Sequence, residues 1–176
     1  PTTPANHFHS IRRQLHRDIR VPLITFTPKS LLRHPECTST LADFTEGHFL
    51  EIIVDKELES TREIKKVLIC SGKIYYELAA ARREAKAEHI SIIRIEQLYP
   101  FPKKQLDELL KTYNKDVELV WVQDEPLNMG AATFIRLQME NCDLKFISRP
   151  ASGVTAEGLT AMHKINQAAI IREAMK

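Results

Sequence analysis

The chain has 176 residues, a length that suits one ordinary domain, and its 43% of apolar residues are too many for a disordered segment. Its formal net charge of +2 supplies no strongly basic face for nucleic acid, and no apolar run approaches the roughly 20 residues that span a bilayer. The opening stretch PTTPANHFHS lacks the apolar segment of a signal peptide, so the chain is expected to be soluble and intracellular, and Pro1 in place of Met hints at a fragment.

Thr3-Pro4 reads as a helix start, a hydroxyl cap followed by proline at the first helical position. Phe8, Ile11, Leu15 and Ile19 then recur on one helical face, and His9, Arg12, Arg13 and His16 form a basic face expected to be solvated or paired with acids of a neighbouring domain. Pro22 ends this helix. The run PLITFT at 22–27 has strand length and is apolar throughout, as in a strand covered on both faces. Further strands are predicted at 49–54, 66–70, 90–95, 117–122 and 144–148. Helices are predicted at 73–88, with Ile74, Leu78, Ala81 and Ala85 inward, at 103–113, with Leu106, Leu109, Leu110 and Tyr113 inward, at 130–140 and at 156–175. Segments 43–48 and 55–65 read as variable surface connections. Strands alternating with single helices predict an α/β fold of three layers, a mostly parallel twisted sheet with helices on both faces.

Ligands of such sheets collect at the carboxyl ends of the strands. The sequence there carries Lys29, Ser30, Arg33 and His34 in TPKSLLRHP, then Cys70-Ser71-Gly72-Lys73, then Asp124 and Glu125 in QDEPLNMG, then Arg149 in SRPASG. Ser71-Gly72-Lys73 suits an anion, because glycine allows a close backbone turn, the helix N-terminus offers N–H groups and lysine adds charge. Neither GxxxxGK[ST] nor GxGxxG is present, and a plain helix start with an exposed lysine explains the same residues. Lys29, Ser30, Arg33, Ser71 and Lys73 are therefore the candidate effector or anion-binding set. Asp124 and Glu125 point to opposite sides of a strand and read as charges capping a helix that starts near 128–130. Cys37, Cys70 and Cys142 form no CxxC pair, and Cys70 in VLIC reads as a buried, inert thiol. The histidines are scattered without ligand spacing, so no metal is expected, and no nucleophile elbow or other catalytic constellation is visible.

The strings PTTPANHFHSIRRQ, PLITFTPKSLLRHP, CSGKIYYEL, IIRIEQLYPFP and WVQDEPLNMGA resemble the C-terminal region of the first component of 2-oxoglutarate dehydrogenases. The resemblance covers nearly the whole chain and rests mainly on residues 1–130; SRPASGVTAEG departs from the GRPASASPA that family members often carry, with Ser148 in place of glycine, and no ligand contact is carried over to that loop. The resemblance implies a transketolase-type C-terminal domain at 22–176, preceded by a linker helix at 1–21 from the pyrimidine-binding domain. It also implies a homodimer and a parent enzyme that decarboxylates 2-oxoglutarate on thiamine diphosphate with magnesium, then hands the succinyl group to the lipoyl arm of the succinyltransferase component. The cofactor-binding GDG…N stretch and the catalytic histidines of the family are absent here, so the chain itself is expected to hold no cofactor and to be inactive alone. Its partners would be the upstream domains, the second subunit, the succinyltransferase component and an acetyl-CoA or AMP-like effector, with no nucleic acid and no membrane. Its place would be the bacterial cytoplasm or the mitochondrial matrix. A 2-oxoadipate dehydrogenase or a free-standing anion- or nucleotide-binding module are the alternatives.

Overall fold

The computed structural model describes residues 1–55 and 63–176. They form two compact units, Pro1–Glu51 and Ile52–Lys176; the boundary expected at 21/22 lies inside the first. The connection expected at 55–65 falls largely outside the described residues.

In the first unit, helix α1 (Pro4–His16) begins as its sequence predicts, with the Asn6 N–H donating to Thr3 Oγ1 at 3.1 Å and Pro4 in the first turn. The face it buries is not the apolar stripe. Phe8, Ile11, Leu15 and Ile19 are exposed, while Ala5, Asn6 and His9 are buried. Hydrogen bonding explains the choice. The Asn6 amide donates to Leu50 O at 3.1 Å and accepts from Leu50 N–H at 2.8 Å, acting as a two-sided backbone mimic. The His9 ring bonds Asp43 O at 2.7 Å through Nε2 and Arg12 Nη1 at 3.1 Å through Nδ1. A guanidinium only donates, so Nδ1 accepts and the Nε2–H tautomer donates to the carbonyl. Arg13 lies 3.8 Å over the Phe49 ring. The predicted basic face is thus partly a packing surface. Helix α2 (Leu41–Thr45), begun by a reciprocal Thr40–Asp43 capping box, takes in the first three residues of the 43–48 stretch read as a surface connection.

The strand predicted at 22–27 is not formed: these six residues join no ladder and all are exposed. A strand needs a neighbouring backbone, and the first unit offers none. Lys29–Arg33 form a 3-10 turn after this segment.

The second unit holds strands β1 (Ile52–Val54), β2 (Lys66–Cys70), β3 (Ile90–Ile95), β4 (Glu118–Pro126) and β5 (Leu144–Arg149), with helices α3 (Ile74–Ala85), α4 (Lys103–Leu110), α5 (Ala132–Gln138) and α6 (Thr160–Ala174). Their order is β1-β3-β2-β4-β5; β1 is antiparallel to β3 and every other pair is parallel. Leu68 sits beside Ile92 and Val120, and Ile69 beside Ile93 and Trp121. The Leu68 row joins Ile74, Leu78, Ile170 and Ala174 under α3 and α6. The Ile69 row joins Leu106, Ala132 and Ile135 under α4 and α5. Helices therefore cover both faces, and β2 and β3 are buried along their whole length, as their predominantly apolar sequences suit. Each such Leu or Ile contributes about 1.5–3 kcal/mol of transfer free energy.

The inner face of α3 differs from its predicted stripe. Ala85 is exposed and Ala81 half-buried, while Arg82 turns inward. Arg82 Nη1 forms a buried ion pair with Asp55, the residue after β1, and so ties the one antiparallel strand to the helix.

Candidate functional site at the carboxyl edge of the sheet

The chain leaves β2 towards β3 on one side and β4 towards β5 on the other. The carboxyl ends of β2 and β4 therefore flank the switch point where open α/β sheets bind ligands. Ser71-Gly72-Lys73 leads from β2 into α3 here. Gly72 has φ +79°, and no atom stands within 4 Å of where a Cβ would lie, so backbone conformation alone calls for glycine.

Lys73 is held on the α3/α6 side of this edge. Its Nζ lies 2.9 Å from Asp124 Oδ2 and 3.4 Å from Glu77 Oε1. The Gln167 amide of α6 bridges the same acids, donating to Glu77 Oε2 at 2.8 Å and to Asp124 Oδ1 at 2.5 Å. Burial works against the ammonium charge, but the bonds and fields of Asp124 and Glu77 outweigh it, and the Lys73 pKa is raised above the ordinary lysine value. The cluster of one ammonium, two carboxylates and one amide joins β2, α3, β4 and α6. Lys73 is neither the exposed lysine of a plain helix start nor an unengaged cation.

Asp124 and Glu125 do point to opposite sides, but neither caps a helix. Asp124 turns to Lys73, and α5 has Ala131 at its N-cap with no side-chain cap bond. Glu125 faces the other side, where it lines a cleft of about 410 Å³ with Ser71, Gly72, Tyr99, Trp121 and Phe134. Behind that cleft Gln123 is 3% exposed. It accepts from Trp121 Nε1 at 2.9 Å and donates to Pro126 O at 3.0 Å and Met129 O at 2.8 Å, fixing the loop after β4. Gln123 and Gln167 were not singled out by the sequence; nothing local distinguishes them from surface glutamines.

Arg149 at the end of β5 is also spoken for. It donates to Asp124 O and Thr155 O, each at 2.7 Å, and pairs with Glu157 at 2.7 Å. Asn166 and Arg149 together lower the Glu157 pKa to about 2. A trough of about 760 Å³ beside β5 and α6 is lined by Lys66, Lys145 and Glu118 among others. Both lysines pair with Glu118, at 3.3 and 2.6 Å. Cys70 is fully buried, which pushes its thiol up to about 12, in keeping with an inert residue.

Lys29, Ser30 and Arg33 are exposed on the 3-10 turn of the first unit, whereas Ser71 and Lys73 share the β2–α3 loop of the second. Among the described residues, no three His, Cys, Asp or Glu side chains are grouped to hold a metal ion.

Residues 38–175 match the family model described as 2-oxoglutarate dehydrogenase C-terminal. The chain belongs to that family. The 2-oxoglutarate dehydrogenase E1 component of Cupriavidus necator is 45% identical over 179 residues, which cover 99% of this chain and 19% of the relative. The protein of the same name from Haemophilus influenzae is 40% identical over 180 residues, again 99% and 19% of the two chains. That of Brucella ovis is 39% identical over 193 residues, with the same coverage. This family member thus spans about a fifth of the length of these relatives. Among solved structures, a chain titled split gene transketolase, inactive beta4 tetramer, aligns at a TM-score of 0.49 and 12% identity over 73% of this chain and 43% of its own. For this 2-oxoglutarate dehydrogenase C-terminal chain the carboxyl-edge cluster is an internal fastening of the second unit.

Proposed function

We propose that the chain serves as the C-terminal, non-catalytic domain of the thiamine-dependent first component of a 2-oxoglutarate dehydrogenase, supporting dimerisation and assembly. One observation carries this reading: sequence matches cover 99% of the chain but 19% of relatives named as E1 components. In this reading α1 connects to the preceding domain, and decarboxylation and succinyl transfer to the succinyltransferase component belong to regions outside this span. The enzyme works in the bacterial cytoplasm or the mitochondrial matrix. In this reading thiamine diphosphate and magnesium are held by the regions outside this span, and the lysine at the switch point is engaged by Asp124 and Glu77. The chain alone should release no carbon dioxide from 2-oxoglutarate with that cofactor and metal added; turnover by the pure chain would sink the reading.

The finer proposal is a regulatory anion site on Lys29, Ser30, Arg33, Ser71 and Lys73 for the phosphates of an acetyl-CoA or AMP-like effector. Its support is the exposed cations of the 3-10 turn and the α3 N-terminus opened by Gly72. Lys73 would have to exchange Asp124 for the phosphate. In the full-length enzyme, Arg33→Ala and Lys73→Ala should each weaken the response to acetyl-CoA and AMP at least about tenfold in apparent affinity, as loss of a charge-assisted contact of ~1.5–3 kcal/mol implies. Basal activity should be kept. Wild-type responses in both variants, or collapse of basal activity, would assign these residues to a domain interface.

A further inference from the structure

Residues 22–27 combine features that do not belong together in a finished surface. After Pro22 the run is made of strand formers, yet among the described residues it pairs with no other backbone. Val21, Leu23, Thr25 and Thr27 line an open cleft of about 620 Å³ with Ile11 and Leu15 of α1. Ile24 and Phe26, the alternate residues, are 75% and 94% exposed. Side chains that alternate between two sides mark a chain already extended at strand period. Gln14 Nε2 donates to Val21 O at 2.7 Å and anchors its start. An apolar strand with both faces and its backbone open to water is a strong pairing template.

We infer that residues 22–27 form a strand of a sheet completed by the part of the longer protein outside this chain's span. The inference rests on the reading of the chain as one region of a longer enzyme. Roughly four-fifths of each matched relative lies outside the aligned region, which is ample material for a sheet. Charge argues against a second copy as the occupant. The segment is flanked by Arg17, Arg20, Lys29 and Arg33, with Asp18 the one acid between 17 and 33. Centred antiparallel pairing of two copies would set Arg20 opposite Lys29, and parallel in-register pairing would set each cation opposite itself. Like charges directly opposite are destabilising, whereas a sheet edge with an acidic rim is complementary. The receiving surface is therefore an open-edged sheet with apolar faces and acidic ends.

Amide hydrogen exchange on the full-length protein, compared with the 176-residue chain, tests this directly. Pro22 has no N–H, so the reporters are Leu23 to Thr27. In the full-length protein, at least alternate amides of this set should exchange about a hundredfold or more slower than in the chain alone. Equal exchange in the two overturns the inference. Protection that arises in the chain alone as its concentration rises also overturns it, because the occupant is then a second copy. Carbon dioxide release from 2-oxoglutarate by the same full-length sample keeps the two readings apart. Activity with open amides sinks the strand alone, and protected amides without activity sink the enzyme reading alone.

Discussion

Removing one partner of the Asp55–Arg82 pair should destabilise the second unit more than any other surface-neutral change. The two side chains are 2% and 5% exposed, and Arg82 Nη1 also reaches Ile90 O at 3.5 Å. Arg82→Met leaves the Asp55 carboxylate buried beside an apolar group, and Asp55→Ala leaves the guanidinium in the same position. Breaking a buried pair in this way costs about 3–5 kcal/mol, a large share of the roughly 5–15 kcal/mol that hold a domain folded. With a urea slope of about 2 kcal/mol per molar, the midpoint should fall by about 1.5–2.5 M. The double variant Asp55→Ala/Arg82→Met removes both charges and should recover most of that loss, since apolar replacement of a buried pair is often neutral. Urea unfolding of wild type, both single variants and the double variant completes the cycle. Single variants within about 1 kcal/mol of wild type, or a double variant as damaged as the sum of the two, would refute the account of Arg82 as the tether between α3 and β1.

Three further outcomes are expected. Gly47→Ala puts a Cβ 2.3 Å from Asp43 O, so the end of α2 must shift and the first unit should lose about 1–3 kcal/mol; unchanged exchange of amides 41–50 would contradict the packing. Glu157 has a folded pKa of about 2 against an ordinary 4.5, so the carboxylate favours the folded state above pH 4.5, and that contribution is lost as pH falls from 4.5 through about 2. Asn166→Ala should move the Glu157 midpoint upward in an NMR titration; an unmoved midpoint rejects the bond as its cause. At about pH 8, a thiol reagent should modify Cys37 and Cys142, both partly exposed, long before buried Cys70, and equal rates would show that the core opens readily.

The legible parts of this protein are those whose signal is local. VLIC and LVWV are unbroken apolar runs, and ISIIRI is one interrupted by Ser91 and Arg94, because β2, β3 and β4 are covered on both faces; such runs announce themselves without knowledge of their neighbours. Thr3-Pro4 announced the start of α1 for the same reason: capping is settled within one helical turn. The five quoted strings likewise sufficed to identify the family. Tertiary structure alone decided which polar groups meet. That Lys73 meets Asp124 and Glu77, with Gln167 bridging from 90 positions beyond Glu77, could not be read from the sequence around it. The inner stripe of α3 was predicted from Ile74, Leu78, Ala81 and Ala85 without Arg82, because periodicity counts apolar residues and is blind to a buried partner such as Asp55. Asn6 and His9 took the buried face of α1 from Phe8 and Ile11 because two backbone segments, at Leu50 and Asp43, needed their hydrogen bonds. Composition and period report how much of a segment wants to leave water; which surface receives it is a long-range matter, settled only when the rest of the chain arrives.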